Sequence, residues 1–290
     1  MFVYDDESTD GTKKVAQSLG ATVITAPEPL PAGWTGKNRA CHALGLVAAE
    51  ASPAEWYLFL DADTQPGPGF AMGVQELIHR FGARAPVITG FPTLRPGAGL
   101  EPVYLGWVPW ILLATAPFGL ISVTRKGHGR FTNGQFVLWR ANRYLDVMPY
   151  ERVKGVVLED VTVGRILARE GIRCEVVDLT KILAVKMYQT FRQAVDGMSK
   201  NSFQITGSTL GTLFLAFLFL VFAWGWLVSP WLYFVLIGGK WLTDRMVRAP
   251  WWTFPLMPIT ATLASITLIR SLLWHRRGKT EWKGRFYGDP

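Results

Sequence analysis

The sequence predicts an α/β fold with a mainly parallel sheet, followed by transmembrane helices near the C-terminal end. Two observations support this prediction. Short apolar runs alternate with helix-like segments over residues 1–100, and this alternation is typical of parallel sheets. Residues 209–228 carry no charged side chain. As a helix they are long enough to cross the hydrocarbon core of a bilayer, which is about 30 Å thick.

The individual elements follow from short apolar runs bounded by polar or turn-forming residues. Strands are expected at residues 2–4, 21–24, 56–60, 86–91 and 173–177, and helices at 37–51, 70–81 and within 155–171. A polar turn at residues 5–12 leads into a first helix, for which Thr9 or Asp10 is the expected N-cap. Pro66 to Gly69 interrupts the chain before the helix at 70–81.

Composition and charge favour a membrane surface as the partner. The chain has 290 residues, of which 49% are hydrophobic, and a net charge of +8. Basic residues gather beside the apolar segments, at Arg245, Arg248 and residues 275–279, as they do at a cytoplasmic membrane face. The first half has no aromatic-basic stripe, so we expect no nucleic-acid partner. Cys41 and Cys174 lack metal-like spacing and indicate a reduced compartment.

These features predict three regions in a protein of the inner or cell membrane. An α/β domain over residues 1–205 would face the cytoplasm, a transmembrane region would cover 206–275, and 276–290 would form a basic tail. Because residues 231–239 are short, two spans with an amphipathic linker and three spans both fit. Residues 101–124 form an apolar insert that contains prolines, which is either an interfacial hairpin or acceptor groove, or a buried helix pair.

Two carboxylates close the apolar strand at residues 56–60. Asp61 and Asp63 are two positions apart, so in an extended chain they face the same side. Buried charge is costly unless it is paired or bound to metal, and open α/β sheets bind ligands at the carboxyl ends of their strands. Hard oxygen ligands at this place suit Mg²⁺ or Mn²⁺ on a diphosphate. A surface loop or a helix cap is the alternative interpretation.

Two further places could contact a nucleotide. Asp5 and Asp6 end the first strand, where they could accept hydrogen bonds from uracil or ribose, or cap the following helix. Lys37 follows Gly36 at the start of a helix, where an amine and free backbone donors suit a phosphate or a base. A solvated surface lysine is the alternative at this position.

Four patches together resemble family 2 glycosyltransferases, which have the GT-A fold. Residues 3–12 look like the nucleotide-binding strand and turn of that family, and residues 61–63 like its acidic motif. Residues 158–160 match the place of its catalytic base, and residues 132–135 are similar to its acceptor-side segment. Residues 33–38 and 282–287 further resemble membrane enzymes that glycosylate carotenoid or hopanoid-type lipids.

The resemblance implies a role for each of these residues. Asp160 would take the proton of the acceptor hydroxyl, with Glu159 beside it in a supporting role, although a helix N-terminus with first-turn acids also fits this pair. Asp63 would bind Mg²⁺ or Mn²⁺, and Asp61 the metal or the ribose. The acceptor side would include three consecutive residues, Asn133, Gly134 and Gln135.

The expected function is therefore a membrane-bound, metal-dependent, inverting transfer of one sugar from a nucleotide sugar, expected to be UDP-linked, to a lipid or isoprenoid hydroxyl. Gln189 and Arg192 resemble a motif of processive synthases, but Gln193 replaces the tryptophan that would stack on a sugar. Single-sugar transfer is the better fit. A polyprenyl-phosphate glycosyltransferase and a non-catalytic, degenerate membrane scaffold are the alternatives.

Two remaining features are noted as expectations. In the resembling family a strand and a helix precede the acidic turn at residues 5–6, so we expect the native protein to begin earlier than Met1. The glycine-rich loop around His128 is a weak candidate for folding over donor phosphates.

Overall fold

The structure is a computed structural model that describes residues 1–26, 29–51, 54–97, 99–110, 132–246 and 248–277, together with the backbone of 281–282 and 285–286. The chain divides into two compact units. The first comprises Met1–Asp61, Met72–Gly90 and Ser122–Val177, and the second Ala62–Ala71, Phe91–Ile121 and Asp178–Pro290. The predicted region boundaries at residues 205 and 275 stay predictions. The loop around His128 and most of the predicted insert at 101–124 lie outside the described residues.

The described part of the chain is a mixed α/β structure. Its strands are β1 (Phe2–Asp5), β2 (Thr22–Thr25), β3 (Trp56–Leu60), β4 (Thr64–Pro66), β5 (Val87–Phe91), β6 (Thr93–Leu94), β7 (Phe136–Arg140), β8 (Cys174–Asp178), β9 (Leu183–Val185), β10 (Glu281–Trp282) and β11 (Arg285–Phe286). Its helices are α1 (Thr12–Ser18), α2 (Gly36–Ala51), α3 (Phe70–Phe81), α4 (Glu101–Leu105), α5 (Ala141–Val147), α6 (Pro149–Arg152), α7 (Glu159–Arg169), α8 (Phe191–Thr206), α9 (Thr209–Trp224), α10 (Pro230–Met246) and α11 (Met257–Arg276). The expected strands and helices of the first half are confirmed.

The sheets of the first unit correct the expectation of a mainly parallel fold. Strands β1 and β2 pair in parallel, as predicted. The four-stranded sheet has the order β3-β7-β5-β8, and β7 runs antiparallel to both β3 and β5. The prediction rested on the alternation within residues 1–100. Strand β7 comes later in the chain, outside those residues, and lies between β3 and β5.

The first helix also begins differently from the prediction. Helix α1 starts at Thr12. Gly11 occupies the N-cap position and makes no side-chain hydrogen bond to the helix. Asp10, one residue earlier, accepts a hydrogen bond from the Thr12 backbone N–H at 2.9 Å. A carboxylate near the helix start is favourable because the first N–H groups lack partners within the helix.

Aromatic side chains fill the core of the first unit. Trp139 and Tyr144 are fully buried, and the Tyr144 ring stacks on Phe59 at 5.1 Å between ring centroids. Helix α2 approaches closely because position 45 is glycine. A Cβ atom there would lie 2.1 Å from the Tyr144 hydroxyl oxygen, which is far inside van der Waals contact. This core holds α2 near β3, so it fixes the start of α2, which carries Lys37, relative to the end of β3, which Asp61 follows.

The second unit combines a small sheet with apolar helices. Strand β9 pairs antiparallel with β4 and in parallel with β6. Two helical stretches, Thr209–Leu227 and Trp251–Arg276, are long and apolar enough to cross a membrane, by length and composition alone. The first of them coincides with the apolar segment predicted at residues 209–228. The segment between them is helix α10, which contains the buried charges of Lys240 and Asp244.

Candidate active site

A single lysine joins two acidic residues from different elements of the first unit. Lys37 is the second residue of α2, Asp61 follows directly after β3, and Glu159 begins α7. The Lys37 Nζ atom lies 2.9 Å from Asp61 Oδ1 and 2.7 Å from Glu159 Oε1. The structure therefore brings together three residues that are distant in the sequence.

The charge of Lys37 depends on these partners. Burial disfavours the ammonium form, but the carboxylates of Glu159 and Asp61 outweigh that effect and raise the pKa of Lys37 well above its usual value. Lys37 consequently stays positively charged at every physiological pH. Its side chain as a whole is 32% exposed.

Asp160 has the properties of a base that works near neutral pH. Burial and the negative charge of Glu159 raise the pKa of Asp160 to about 7, against the opposing effect of Lys37. The backbone N–H groups of Val161 and Gly134 also donate to this carboxylate and limit the rise. Asp160 is the second residue of α7, where the helix dipole favours the ionised form as well.

The segment at residues 132–135 is tied to the same place by its own hydrogen bonds. The Thr132 hydroxyl donates to the Asp160 carbonyl at 2.7 Å, and the Asn133 amide donates to the Gly90 carbonyl at 2.9 Å. The Gln135 backbone N–H donates to Asn133 Oδ1 at 3.2 Å. Asn133 thus uses its side chain to hold the turn, and Gln135 is half-exposed beside it.

Gly134 permits the lysine to reach its partners. A Cβ atom at this position would lie 2.7 Å from Lys37 Nζ and 3.1 Å from Glu159 Oε1. Any side chain there would push the ammonium group away from Glu159. The need for this close approach is a physical reason for glycine at position 134.

A small cavity opens beside these groups. Two of its lining residues, Trp139 and Tyr150, were not singled out by the sequence. The Trp139 indole N–H is buried and has no hydrogen-bond partner within the described part of the chain. The lining residues are Thr132, Gly134, Val137, Trp139, Tyr150, Glu159, Asp160 and Val163. A polar ligand in this cavity could therefore meet the Asp160 carboxylate and an indole donor together.

Asn38 belongs to the resembling segment at residues 33–38, but the sequence assigned it no role. It is fully buried, and its side-chain amide donates to the carbonyls of Val153, Lys154 and Val156, at 2.6, 3.1 and 2.9 Å. These bonds fix the loop that leads into α7 and hence the position of Asp160. An asparagine after Lys37 gives no local signal of such a role, because its partners are far away in the sequence.

The end of β1 presents a carboxylate that is suited to a ligand. Asp5 is 5% exposed, and its Oδ1 atom has no hydrogen-bond partner among the described residues. A buried carboxylate oxygen without a donor is unfavourable, so a ligand N–H or O–H at this point would stabilise it. Asp6, next to it, is half-buried.

Asp63 belongs to the second unit, where it lies exposed in the turn before β4. The pKa of Tyr188 is raised to about 12, mostly by burial and to a smaller extent by the negative charge of Asp63. Within the described residues, no group of three or more histidine, cysteine or acidic side chains is arranged to hold a metal ion. Both Asp61 oxygens contact Lys37, so Asp63 is the more accessible of the two predicted metal ligands.

Comparison with protein-family models found no match, and comparison with curated proteins found none either. Among solved structures, the chain is similar to glucosyl-3-phosphoglycerate synthase from Mycobacterium tuberculosis, with 20% identity and a TM-score of 0.40, over 67% of this chain and 66% of that one. That synthase has also been crystallised with Mn²⁺, uridine diphosphate and glucosyl-3-phosphoglycerate.

The chain is also similar to S. aureus TarS 1–349 in complex with UDP-GlcNAc, with 14% identity and a TM-score of 0.41, over 96% of this chain and 82% of that one. The alignment with the mycobacterial synthase spans just under two thirds of that enzyme. Similarity at these levels does not assign a family or an activity.

Proposed function

We propose that the protein is a glycosyltransferase that moves one sugar from a nucleotide sugar to a hydroxyl group of a lipid or isoprenoid acceptor. The observation that carries this proposal is Asp160, a carboxylate with a pKa of about 7 at the edge of a cavity, next to an anchored lysine. A carboxylate whose pKa is strongly raised by burial and a neighbouring charge, and which lines a cavity, is a candidate acid-base group.

The proposed reaction is a single displacement. Asp160 accepts the proton of the acceptor hydroxyl while that oxygen attacks the anomeric carbon of the donor sugar. The bond between the anomeric carbon and the nucleotide diphosphate breaks, and the diphosphate leaves with the electron pair. Attack from the side opposite the leaving group inverts the anomeric configuration. A base with a pKa near 7 is about half ionised at neutral pH, and such groups contribute roughly 10²–10⁴ in rate.

The donor would be held by Asp5, Asp6 and Lys37. The partnerless oxygen of Asp5 supports a role in accepting a hydrogen bond from the base or the ribose. The positive charge of Lys37 and its place at the start of α2 support contact with a phosphate oxygen. Asn133, Gly134 and Gln135 are assigned to the acceptor side.

The carboxylates of Asp63 and Asp61 fit a divalent cation that also binds substrate phosphates. Mg²⁺ and Mn²⁺ sites often use one or two carboxylates and complete their coordination with substrate phosphates. The exposed carboxylate of Asp63 suits this arrangement, with Asp61 as a second ligand. When bound, the cation would neutralise the negative charge that develops on the departing diphosphate.

Apolar helices of the second unit support a lipid acceptor and a membrane location. Helix α9 exposes large apolar side chains, with Phe214 at 66% and Phe217 at 63% exposure. Exposed apolar surface of this extent marks contact with a membrane or a partner. We assign the protein to the inner or cell membrane, with the first unit in the cytoplasm where nucleotide sugars are available.

The test is a panel of nucleotide sugars incubated with the purified protein and a membrane lipid extract, with products identified by mass spectrometry. We expect lipid that has gained one sugar, and loss of this product with Asp160→Asn. Near-native turnover of Asp160→Asn would instead indicate an acceptor that is already ionised, such as a polyprenyl phosphate. No product from any donor, together with no binding of UDP and Mn²⁺ by calorimetry, would refute the proposal.

A further inference from the structure

Helices α9 and α11 lie side by side and run in opposite directions. At one end, the ring of Phe203, in the last turn of α8, stacks on the ring of His275 in α11, at 4.1 Å between centroids. At the other end, the Tyr233 hydroxyl, in the first turn of α10, donates to the Pro255 carbonyl, just before α11, at 3.3 Å. Between these ends the two helices share a buried cluster of Ala216, Phe219 and Ala223 from α9 with Met257, Ala261, Ala264 and Leu268 from α11. The connection that contains α10 therefore leaves and returns at the same end of the pair.

This end of the pair lies against polar structure of the same unit. Asp244 of α10 accepts the Thr253 hydroxyl at 3.1 Å and pairs with the fully buried Lys240. A Cβ atom at Gly106, directly after α4, would lie 2.9 Å from the Lys240 ammonium nitrogen. Met187, which follows strand β9, borders one cleft together with Asp244. The chain that leaves the small sheet thus meets the buried ion pair near the start of α11.

The other end of the pair lies beside α8. The Asp196 Oδ1 atom of α8 is 2.6 Å from the Arg270 Nη2 atom of α11. The Arg270 guanidinium also lies over the Trp274 ring, 4.4 Å from its centroid. The Phe203 backbone N–H donates to the Ser271 hydroxyl at 2.8 Å. Helix α8 therefore accompanies the second half of α11 to its end.

These contacts conflict with a helix pair that crosses the bilayer. The segment from Met187 to Phe203 reaches from one end of the pair to the other, so it would have to cross as well. It contains Arg192, Asp196 and Lys200. Charged side chains are rare in membrane-crossing helices because charge is costly in hydrocarbon.

The polar contacts on α11 are also too close together for a crossing. Thr253 and Arg270 are about 17 residues apart, roughly 25 Å along a helix, whereas the hydrocarbon core is about 30 Å thick. Exposed arginines flank both ends of the pair, Arg245 at one and Arg276 at the other. Basic residues favour the cytoplasmic surface, so a crossing would put one of these arginines on the unfavourable side.

We propose that α9, α10 and α11 lie in the plane of the membrane, within its cytoplasmic leaflet, and do not cross it. Leu210, Phe217 and Trp224 recur every seven residues of α9 and are 81%, 63% and 47% exposed. This stripe enters the boundary between headgroups and acyl chains, and the exposed arginines contact anionic headgroups. The inference rests on the membrane location in the proposed function. It replaces the predicted transmembrane region at residues 206–275 by attachment to one leaflet.

Depth measurements in vesicles of phosphatidylethanolamine and phosphatidylglycerol test this orientation. Leu210→Cys, Phe217→Cys and Trp224→Cys, each in the full-length protein, carry a fluorescent label that is quenched by lipids brominated at shallow or deep acyl positions. We expect the three depths to agree within about 3 Å, in the outer roughly 10 Å of one leaflet. A crossing helix would place the label at position 217 about 10 Å deeper than the other two, because seven residues of helix separate them.

Two controls accompany the depth profile. The native chain, with its half-buried Cys41 and buried Cys174, gives the background of labelling. Lys14→Cys, at an exposed position of α1, should be quenched by neither lipid. Thermal melting shows whether each variant is folded.

Labelling from one side of the membrane gives an independent test. Val228→Cys lies in the connection after α9, where the native side chain is 91% exposed, and Arg277→Cys lies directly after α11. In intact spheroplasts of an expression host, a maleimide that cannot cross membranes should label neither position, and after permeabilisation it should label both. Labelling of either position in intact spheroplasts would overturn the proposal.

The outcomes separate this inference from the proposed function. Protein that floats with vesicles but has position 217 deepest refutes the in-plane orientation and keeps the membrane location. Protein that does not float refutes the membrane location and this inference together, whatever its activity. A flat depth profile with no sugar transfer from any donor refutes the glycosyltransferase and keeps the attachment to one leaflet.

Discussion

Replacing Lys37 with methionine should move the pH dependence of sugar transfer towards alkaline pH. The Lys37 charge lowers the pKa of Asp160, whereas burial and the neighbouring Glu159 raise it. Methionine keeps the length and apolar stem of lysine but removes the ammonium group. The pKa of Asp160 should therefore rise above its present value of about 7. Transfer needs the ionised carboxylate, so activity should appear only at higher pH.

The size of the effect follows from the titration of one carboxylate. With a pKa of about 7, half of the protein carries the ionised base at pH 7. If the midpoint rose by one pH unit, about one tenth would carry it, and the rate at pH 7 would fall roughly fivefold. The substitution also leaves Glu159, with a side chain only 8% exposed, without its cation. The free energy of unfolding should fall by about 1–3 kcal/mol.

The assay is the rate of sugar transfer at saturating donor, measured from acid to alkaline pH. At a saturating donor concentration the rate does not depend on how tightly the donor phosphate binds, so a change in the rate reports on Asp160. Glu159→Gln provides an opposite arm, because it removes the negative charge that raises the pKa of Asp160 and should move the midpoint towards acid pH. Lys14→Met, at an exposed lysine of α1, is the matched control and should leave the profile unchanged.

Opposite shifts for Lys37→Met and Glu159→Gln are difficult to obtain from general damage to the fold, which would lower rates at every pH. The reasoning is refuted if both variants keep the native midpoint, or if both move it in the same direction. Circular dichroism and thermal melting at each pH confirm that the compared variants are folded.

Four further substitutions have defined outcomes. Asp160→Asn should abolish transfer but raise the melting temperature above pH 7. Burial raises the pKa of Asp160, so at that pH the native protein bears the cost of a buried charge that asparagine lacks. The gain in melting temperature should shrink as the pH falls from 7 towards about 4, where the carboxyl group is protonated in the folded state. Asp5→Asn should weaken binding of UDP by roughly tenfold or more in calorimetry, and unchanged affinity would remove Asp5 from the donor site. Asp63→Asn should raise the Mn²⁺ concentration needed for half-maximal rate after treatment with a chelator, and an unchanged requirement would exclude it as a ligand. Gly134→Ala should displace the Lys37 ammonium, whose Nζ atom would lie 2.7 Å from the new methyl group, and should move the pH midpoint in the same direction as Lys37→Met.

Local signals in the sequence predicted most of the elements of the first half. The helix at 70–81 follows a Pro-Gly break, and its periodic apolar residues define its length; the structure has it at Phe70–Phe81. The strand at 56–60 is an uninterrupted apolar run and is confirmed at Trp56–Leu60. Such features depend on neighbours in the sequence, so they can be recognised without the fold.

The order and direction of the strands could not be predicted in the same way. Strand β7 lies between β3 and β5, and Trp139 pairs with Tyr57 on one side and with Val87 on the other. This pairing depends on contacts between segments far apart in the chain, and no local pattern encodes it. The prediction of a mainly parallel sheet was therefore wrong for β7, which runs antiparallel to both of its neighbours.

The acidic residues of the site gave a signal, but the groups that organise them did not. Asp61 was noticed because a carboxylate directly follows an apolar strand, and Asp160 because residues 158–160 resemble the catalytic-base segment of family 2 glycosyltransferases. The roles of Asn38 and Trp139 arise only from three-dimensional proximity, through carbonyls of a distant loop and through the cavity wall. Lys37 was noticed for its place at a helix start, whereas its two ion pairs are visible only in the fold.

The charges at the site explain why a proton is useful there. Lys37 contacts the carboxylates of Asp61 and Glu159, and Asp160 adds a third negative charge beside Glu159. Burial and repulsion make that third charge unfavourable, which is the physical meaning of a pKa raised to about 7. Accepting a proton from a hydroxyl group relieves both costs at once. The ionised Asp160 is therefore held in an unfavourable state before the reaction and becomes neutral as the acceptor oxygen gains nucleophilic character.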